Sequence, residues 1–177
     1  PQPCPGGTHA AASLAFMSSL SECVTCGVGT FCSVGSGAAT LCAPGTFNPT
    51  ARQETCISCG AGTFQQAAGA TTCVACTPGY YCGTGAAAAL PCPFGTHSNQ
   101  SLTVMTSVEQ CTVCPEETSC SVGSDQATPC APGTVNPTAR QETCTSCAAG
   151  PFQEAAGATA CLACTGGHYC GAGAGAE

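Results

Sequence analysis

The chain has 177 residues, 20 of them cysteine, with no lysine, two arginines and a formal charge of −7. So few cations argue against binding to nucleic acid or to an anionic membrane surface, both of which rely on clustered Lys and Arg. Six Phe, three Tyr and no Trp are too little apolar area for an ordinary core, so the sequence predicts a small disulfide-rich fold ordered by cross-links, outside the cytosol.

The first sub-module, about 1–41, opens on CPGGTH at 4–9 and closes around CGVGTFC at 26–32. Between them lies SLAFMSSL at 13–20, the longest apolar stretch. It falls short of the roughly 18 residues that span a bilayer and has no basic flank, so no membrane span is expected. With Pro1 first and no signal peptide, the segment is expected to come from a longer secreted protein. The next sub-modules, about 42–58 and 59–88, carry CAPGTF at 42–47, CGAGTF at 59–64 and CTPGYYC at 76–82. All follow one grammar: Cys-x-x-Gly-[Thr/Tyr]-aromatic, a polar loop, then a second cysteine. Glycine permits positive φ, so the chain can reverse there, and the following residues favour strand. The grammar predicts short two-stranded β-ribbons and loops with little helix. AAGAT at 67–71 makes one turn at most, because Gly69 interrupts it.

At residue 89 the text starts again. Every cysteine from Cys4 to Cys82 has a counterpart 88 positions on, and 56 of the 88 aligned pairs are identical. A fixed period without insertions marks a tandem array. The domains are therefore repeat 1, residues 1–88, and repeat 2, residues 89–177, the latter with sub-modules of about 89–129, 130–146 and 147–177. The octet NPTARQET recurs unchanged at 48–55 and 136–143, either as a binding epitope or as the residue of a recent duplication. CPEETSC at 114–120 departs most from its counterpart CGVGTFC, having lost Gly and Phe and gained two glutamates. It reads as drift or as a contact patch.

These motifs resemble the cysteine-rich modules of ephrin-receptor type, which are akin to tumour-necrosis-factor-receptor and EGF-like modules. The resemblance covers the whole chain and implies an elongated array of modules. Such modules occur in receptors, adhesins and extracellular fibres, among them algal flagellar hairs (mastigonemes). In such a unit the cysteine before Gly-Thr-aromatic is expected to close onto the first cysteine of the next Cys-x-x-Cys. That gives Cys42–Cys56, Cys59–Cys73, Cys130–Cys144 and Cys147–Cys161, with longer loops Cys4–Cys23 and Cys92–Cys111. The remaining pairs are Cys26–Cys32, Cys76–Cys82, Cys114–Cys120 and Cys164–Cys170. Sequence leaves open an interleaved scheme in which Cys82 reaches Cys92.

Zinc is the competing use of these thiols, since Cys56, Cys59, Cys73 and Cys76 have ligand spacing. The additional cysteines, at spacings no zinc site needs, favour bridges, and the chain is expected to need no cofactor. Catalysis is not expected. His9 and His97 stand where other modules place an aromatic ring, and His168 replaces Tyr80, which suits packing better than proton transfer. Asp125 lacks the neighbouring carboxylates that calcium requires, and Glu54 is expected to pair locally with Arg52 if the segment is extended. Asn99-Gln100-Ser101 is an N-glycosylation sequon, while Pro after Asn48 and Asn136 blocks the acceptor pattern. Covalent glycans are therefore expected. The function expected is a structural segment of an extracellular filament, flagellar hair or surface coat. Its partners would be copies of itself, other fibre proteins or a glycosylated axial chain. The alternative is a ligand-binding stalk or ectodomain of a receptor or adhesin.

Overall fold

A computed structural model describes residues 2–13 and 16–176. Leu14 and Ala15, inside the apolar stretch 13–20, lie outside the described residues, as do Pro1 and Glu177. The chain is a small disulfide-rich tandem array of two-stranded antiparallel hairpins, with short 3-10 turns at Leu20–Glu22 and Val108–Gln110.

The residues form two compact units. The first comprises Pro1–Cys76 and Cys82–Ala89, the second Thr77–Tyr81 and Leu90–Glu177. In the first unit Thr8–His9 pairs with Val24–Thr25, Thr30–Phe31 with Thr40–Leu41, Thr46–Phe47 with Ile57–Ser58, and Thr63–Phe64 with Val74–Ala75. In the second, Tyr80–Tyr81 pairs with Leu90–Pro91 and Thr96–His97 with Thr112–Val113. Thr118–Ser119 then pairs with Thr128–Pro129, Thr134–Val135 with Thr145–Ser146, and Pro151–Phe152 with Leu162–Ala163.

Residues 42–58 show why each hairpin forms. Gly45 takes φ +83° and reverses the chain three residues after Cys42. Thr46 then bonds the Ala43 carbonyl twice, from its amide at 3.0 Å and from its hydroxyl at 2.7 Å. The same hydroxyl bond recurs from Thr8, Thr30, Thr63, Thr96, Thr118 and Thr134. Threonine thus does more than favour extended backbone: it closes the turn as a serine/threonine turn does. Across the ribbon Phe47 faces Ile57 and Phe64 faces Val74. The half-exposed aliphatics shield the half-buried rings by cross-strand contact.

Sulfur supplies the core. Among the described residues sixteen apolar ones are buried, and all but Met105, Val135 and Phe152 are cysteines. The leading cysteine of a module is sealed by the next module's backbone. Cys42, for instance, accepts from Gly69 N–H at 2.8 Å, and its own amide donates to Gly29 at 2.9 Å. Two-residue strands could not persist alone in water, so the staples and the ladder between hairpins have to act together.

Candidate functional site

The recurring site of this molecule is the joint between modules. In the first unit Gly45 N–H donates to Gln65 O at 2.7 Å, Asn48 N–H to Ala70 O at 3.1 Å, and Gly69 N–H to Cys42 O at 2.8 Å. In the second, Gly133 donates to Gln153, Asn136 to Ala158 and Gly157 to Cys130, at 2.8, 3.0 and 2.8 Å. These bonds run between main chains, so each hairpin docks on the next whatever its side chains are.

The glycine of Cys-x-x-Gly has a second duty that no local pattern reveals. A Cβ on Gly45 would lie 2.2 Å from the Gly85 carbonyl oxygen, and one on Gly29 would lie 2.0 Å from that of Gly69. Gly7 faces the Arg52 carbonyl at 2.3 Å, and in the second unit Gly95 faces that of Arg140 at 2.4 Å. Each of these four turns thus rests on the loop two modules ahead. At these four glycines a Cβ would force the facing loop to move, whereas at the counterpart of Gly29 the joint accommodates Glu117, whose amide still donates to Asn136 O at 2.9 Å.

The octet NPTARQET lies at this joint. Asn48 is fully buried. Its Nδ2 donates to Thr30 O at 2.9 Å and Thr55 O at 3.1 Å and touches Cys56 Sγ at 3.6 Å. Its carbonyl accepts from Gly29, Arg52 N–H donates to Cys26 O, and Gln53 O accepts from Cys32. Asn136 is buried in the same way and donates to Thr118 O at 2.8 Å. The sequence showed the octet's recurrence and not its cause. Asn48 Oδ1 has no partner among the described residues.

All ten cysteine pairs named above are joined. They are Cys4–Cys23, Cys26–Cys32, Cys42–Cys56, Cys59–Cys73, Cys76–Cys82, Cys92–Cys111, Cys114–Cys120, Cys130–Cys144, Cys147–Cys161 and Cys164–Cys170. Cys82 is bonded within its own module and not to Cys92. The zinc quartet is dispersed over three of these bridges, with Cys56 on Cys42, Cys76 on Cys82, and Cys59 on Cys73. Among the described residues no cluster of three His, Cys, Asp or Glu is placed to hold a metal.

The other candidates lie apart. His9 Nδ1 and His97 Nδ1 sit 2.8 Å from the following residue's carbonyl oxygen, His168 sits beside the Thr165 hydroxyl, and Asp125 accepts from Gln100. The expected Arg52–Glu54 pair is a misreading. Arg52 adopts φ +66°, so the segment is not extended, and the Glu54 carboxyl lies against Gly6 instead. Glu22 is held below its ordinary 4.5 by the Ser18 and Ser19 amides and the Ser18 hydroxyl. Glu109 is lowered by the Ser107 side chain and by its own amide. Asn99 is partly exposed, and its Oδ1 accepts from Ser101 N–H at 3.0 Å. Glu117 takes the place of the turn glycine and keeps its left-handed backbone, φ +69°.

No helix among the described residues is long and apolar enough to cross a membrane. No curated protein matches the chain. A family model described as tyrosine-protein kinase ephrin type A/B receptor-like matches at residues 29–76, 45–89 and 133–173, more than half of the chain. The last two matches begin 88 residues apart, at the Gly-Thr of CAPGT in each copy. Repeats of this sort are extracellular, receptor-ectodomain-like and non-catalytic in kind. The chain therefore belongs to the ephrin type A/B receptor-like cysteine-rich family.

Proposed function

We propose that this chain is a structural repeat segment of an extracellular assembly, a filament, flagellar hair (mastigoneme-type) or surface coat, built by stacking disulfide-stapled modules. One observation carries the reading. Hairpin after hairpin engages its neighbour through the same main-chain bonds, with a bare glycine at the turn in Gly7, Gly29, Gly45, Gly79, Gly95 and Gly133. Surfaces of that kind recognise another module of their own type, so the partners are copies of the chain or related fibre proteins, with an axial glycosylated chain as a further component. Asn99 is the proposed acceptor for N-linked sugar, on a loop where its side chain is accessible.

The family match and the exposed Glu116 and Glu117 favour a second reading, a ligand-binding stalk or ectodomain of a receptor or adhesin. Immunogold labelling of source cells with antibody to the 177-residue segment separates the two. Labels at a regular spacing along extracellular fibres are expected. Diffuse label on the plasma membrane, released by detergent as single molecules, would overturn the fibre reading.

A further inference from the structure

Among the described residues, those other than glycine with left-handed backbone are Arg52 at φ +66°, Glu117 at φ +69° and Arg140 at φ +69°. Each carries a charge and each is exposed, and none makes a side-chain hydrogen bond or ion pair among the described residues. Glycine holds such backbone without strain, so folding alone does not call for a charged side chain there. We infer that Arg52 and Arg140 are contact points between copies of the chain, each guanidinium donating to the carboxylates of Glu116 and Glu117 in a second copy.

The arginines are set up for such a contact. Arg52 N–H donates to Cys26 O at 2.8 Å and Arg140 N–H to Cys114 O at 2.9 Å, which fixes the root of each side chain. Arg52 Cγ would lie 2.9 Å from a Cβ on Gly7, and Arg140 Cγ 2.8 Å from one on Gly95. Each stem therefore lies across the bare turn of an earlier module, as long cationic side chains do when the head stays in water. Glu54, close by in sequence, lies against Gly6 instead of Arg52. Arg52 stands between the bridges Cys26–Cys32 and Cys59–Cys73, and Arg140 between Cys114–Cys120 and Cys147–Cys161. Their exposure is that of residues with neighbouring modules on both sides.

The chemistry selects the partner. A guanidinium is a planar fork of donors that fits a carboxylate with two bonds at once. One arginine in each 88-residue repeat is too sparse for a polyanion, which is held by clustered cations, and sufficient for a carboxylate. The second repeat offers two. Glu116 and Glu117 stand where the first repeat has Val28 and Gly29. The Glu117 amide donates to Asn136 O and its carbonyl accepts from Cys130 N–H, both at 2.9 Å, so the main chain is anchored while both carboxylates remain exposed. Between chains of formal charge −7, such a contact is a point of attraction against general repulsion. It sets register and choice of partner more than affinity.

This contact deepens the fibre reading and rests on it for its place in the cell, while the chain alone tests it in solution. With two arginines in the sequence, the Nε–H spectrum of an isotope-labelled chain holds two signals. Both are expected to move as the chain is concentrated to about 1 mM, the range of weak contacts, in about 0.01 M salt. Both should stay in place in about 1 M salt, where charges are screened. A labelled chain with Glu116→Gln and Glu117→Gln should show no movement by itself. Movement should return on adding unlabelled chain with Arg52→Gln and Arg140→Gln, which brings the carboxylates. Glu54→Gln with Glu142→Gln removes the same charge elsewhere and should leave the movement intact. Signals that stay in place in the unaltered chain, that move without Glu116 and Glu117, that ignore the added chain, or that are stilled by the Glu54 and Glu142 changes would each overturn the contact. Signals that move only with a sulfated polysaccharide would assign the arginines to a polyanion and overturn it too. Regular label along fibres, together with signals that stay in place, would remove the contact and leave the fibre reading standing.

Discussion

Gly45→Ala tests the central claim, that the turn glycine is required by a module two places away. Two costs follow from the structure. Holding alanine at φ +83° costs about 1–2 kcal/mol, the ordinary penalty for left-handed backbone. Its Cβ would lie 2.2 Å from the Gly85 carbonyl oxygen, roughly 1 Å inside the separation that carbon and oxygen tolerate. Because Gly85 presents backbone, the loop has to withdraw. That movement strains Gly45 N–H to Gln65 and Gly85 N–H to Cys59, both 2.7 Å, each worth about 1 kcal/mol. The total is about 3–4 kcal/mol, a fall of roughly 10²–10³ in hydrogen-exchange protection at this joint. Amide exchange with the disulfides intact is the assay, read at Gly45, Asn48 and Gly85. Gly60→Ala is the matched control, since nothing lies within 4 Å of a Cβ there. The amides around Gly133, the same position in the other copy, report whether the effect stays local, as nearest-neighbour arrays require. Equal loss of protection in Gly45→Ala and Gly60→Ala would refute the reasoning.

Four further outcomes are expected. Glu117→Gly should stabilise the protein by about 1 kcal/mol in denaturant titration by relieving φ +69°, whereas Glu116→Gly should destabilise it by about 0.5–1 kcal/mol. Asn48→Ala strands the Thr30 and Thr55 carbonyls and should cost about 3 kcal/mol in the same titration, mostly as unsatisfied buried acceptors. Lowering the pH should release the Ser18 and Ser19 amides. Glu22 has its pKa depressed by them, so its contribution is present above the ordinary 4.5 and lost as pH falls through the lower folded value. The matching amides of Thr106 and Ser107 are held by Gln110, which does not titrate, and should be unchanged over that range. Peptide mapping without reductant should recover Cys76–Cys82 and Cys92–Cys111; a Cys82–Cys92 peptide would contradict the pairing.

The hairpins were readable because their signals are local. Cysteine, turn glycine, a β-prone pair and a second cysteine lie within about twenty residues, so spacing alone indicates a short ribbon closed by sulfur. Asn48 was not readable as a structural residue. A polar side chain followed by proline looks like a surface loop, and its partner Thr30 lies eighteen residues back in another module. The Arg52–Glu54 pair failed for a related reason: a left-handed residue in the middle of the octet carries no sequence mark when it is not glycine.

The sequence by itself determined the 88-residue period, the sulfur core and the ribbons, because composition and short-range spacing decide those. Only the tertiary structure decided which surfaces meet. Contacts such as Gly7 on Arg52, Gly29 on Gly69 and Gly45 on Gly85 reach across two modules, and the bonds between modules join peptide groups, which every residue type carries alike.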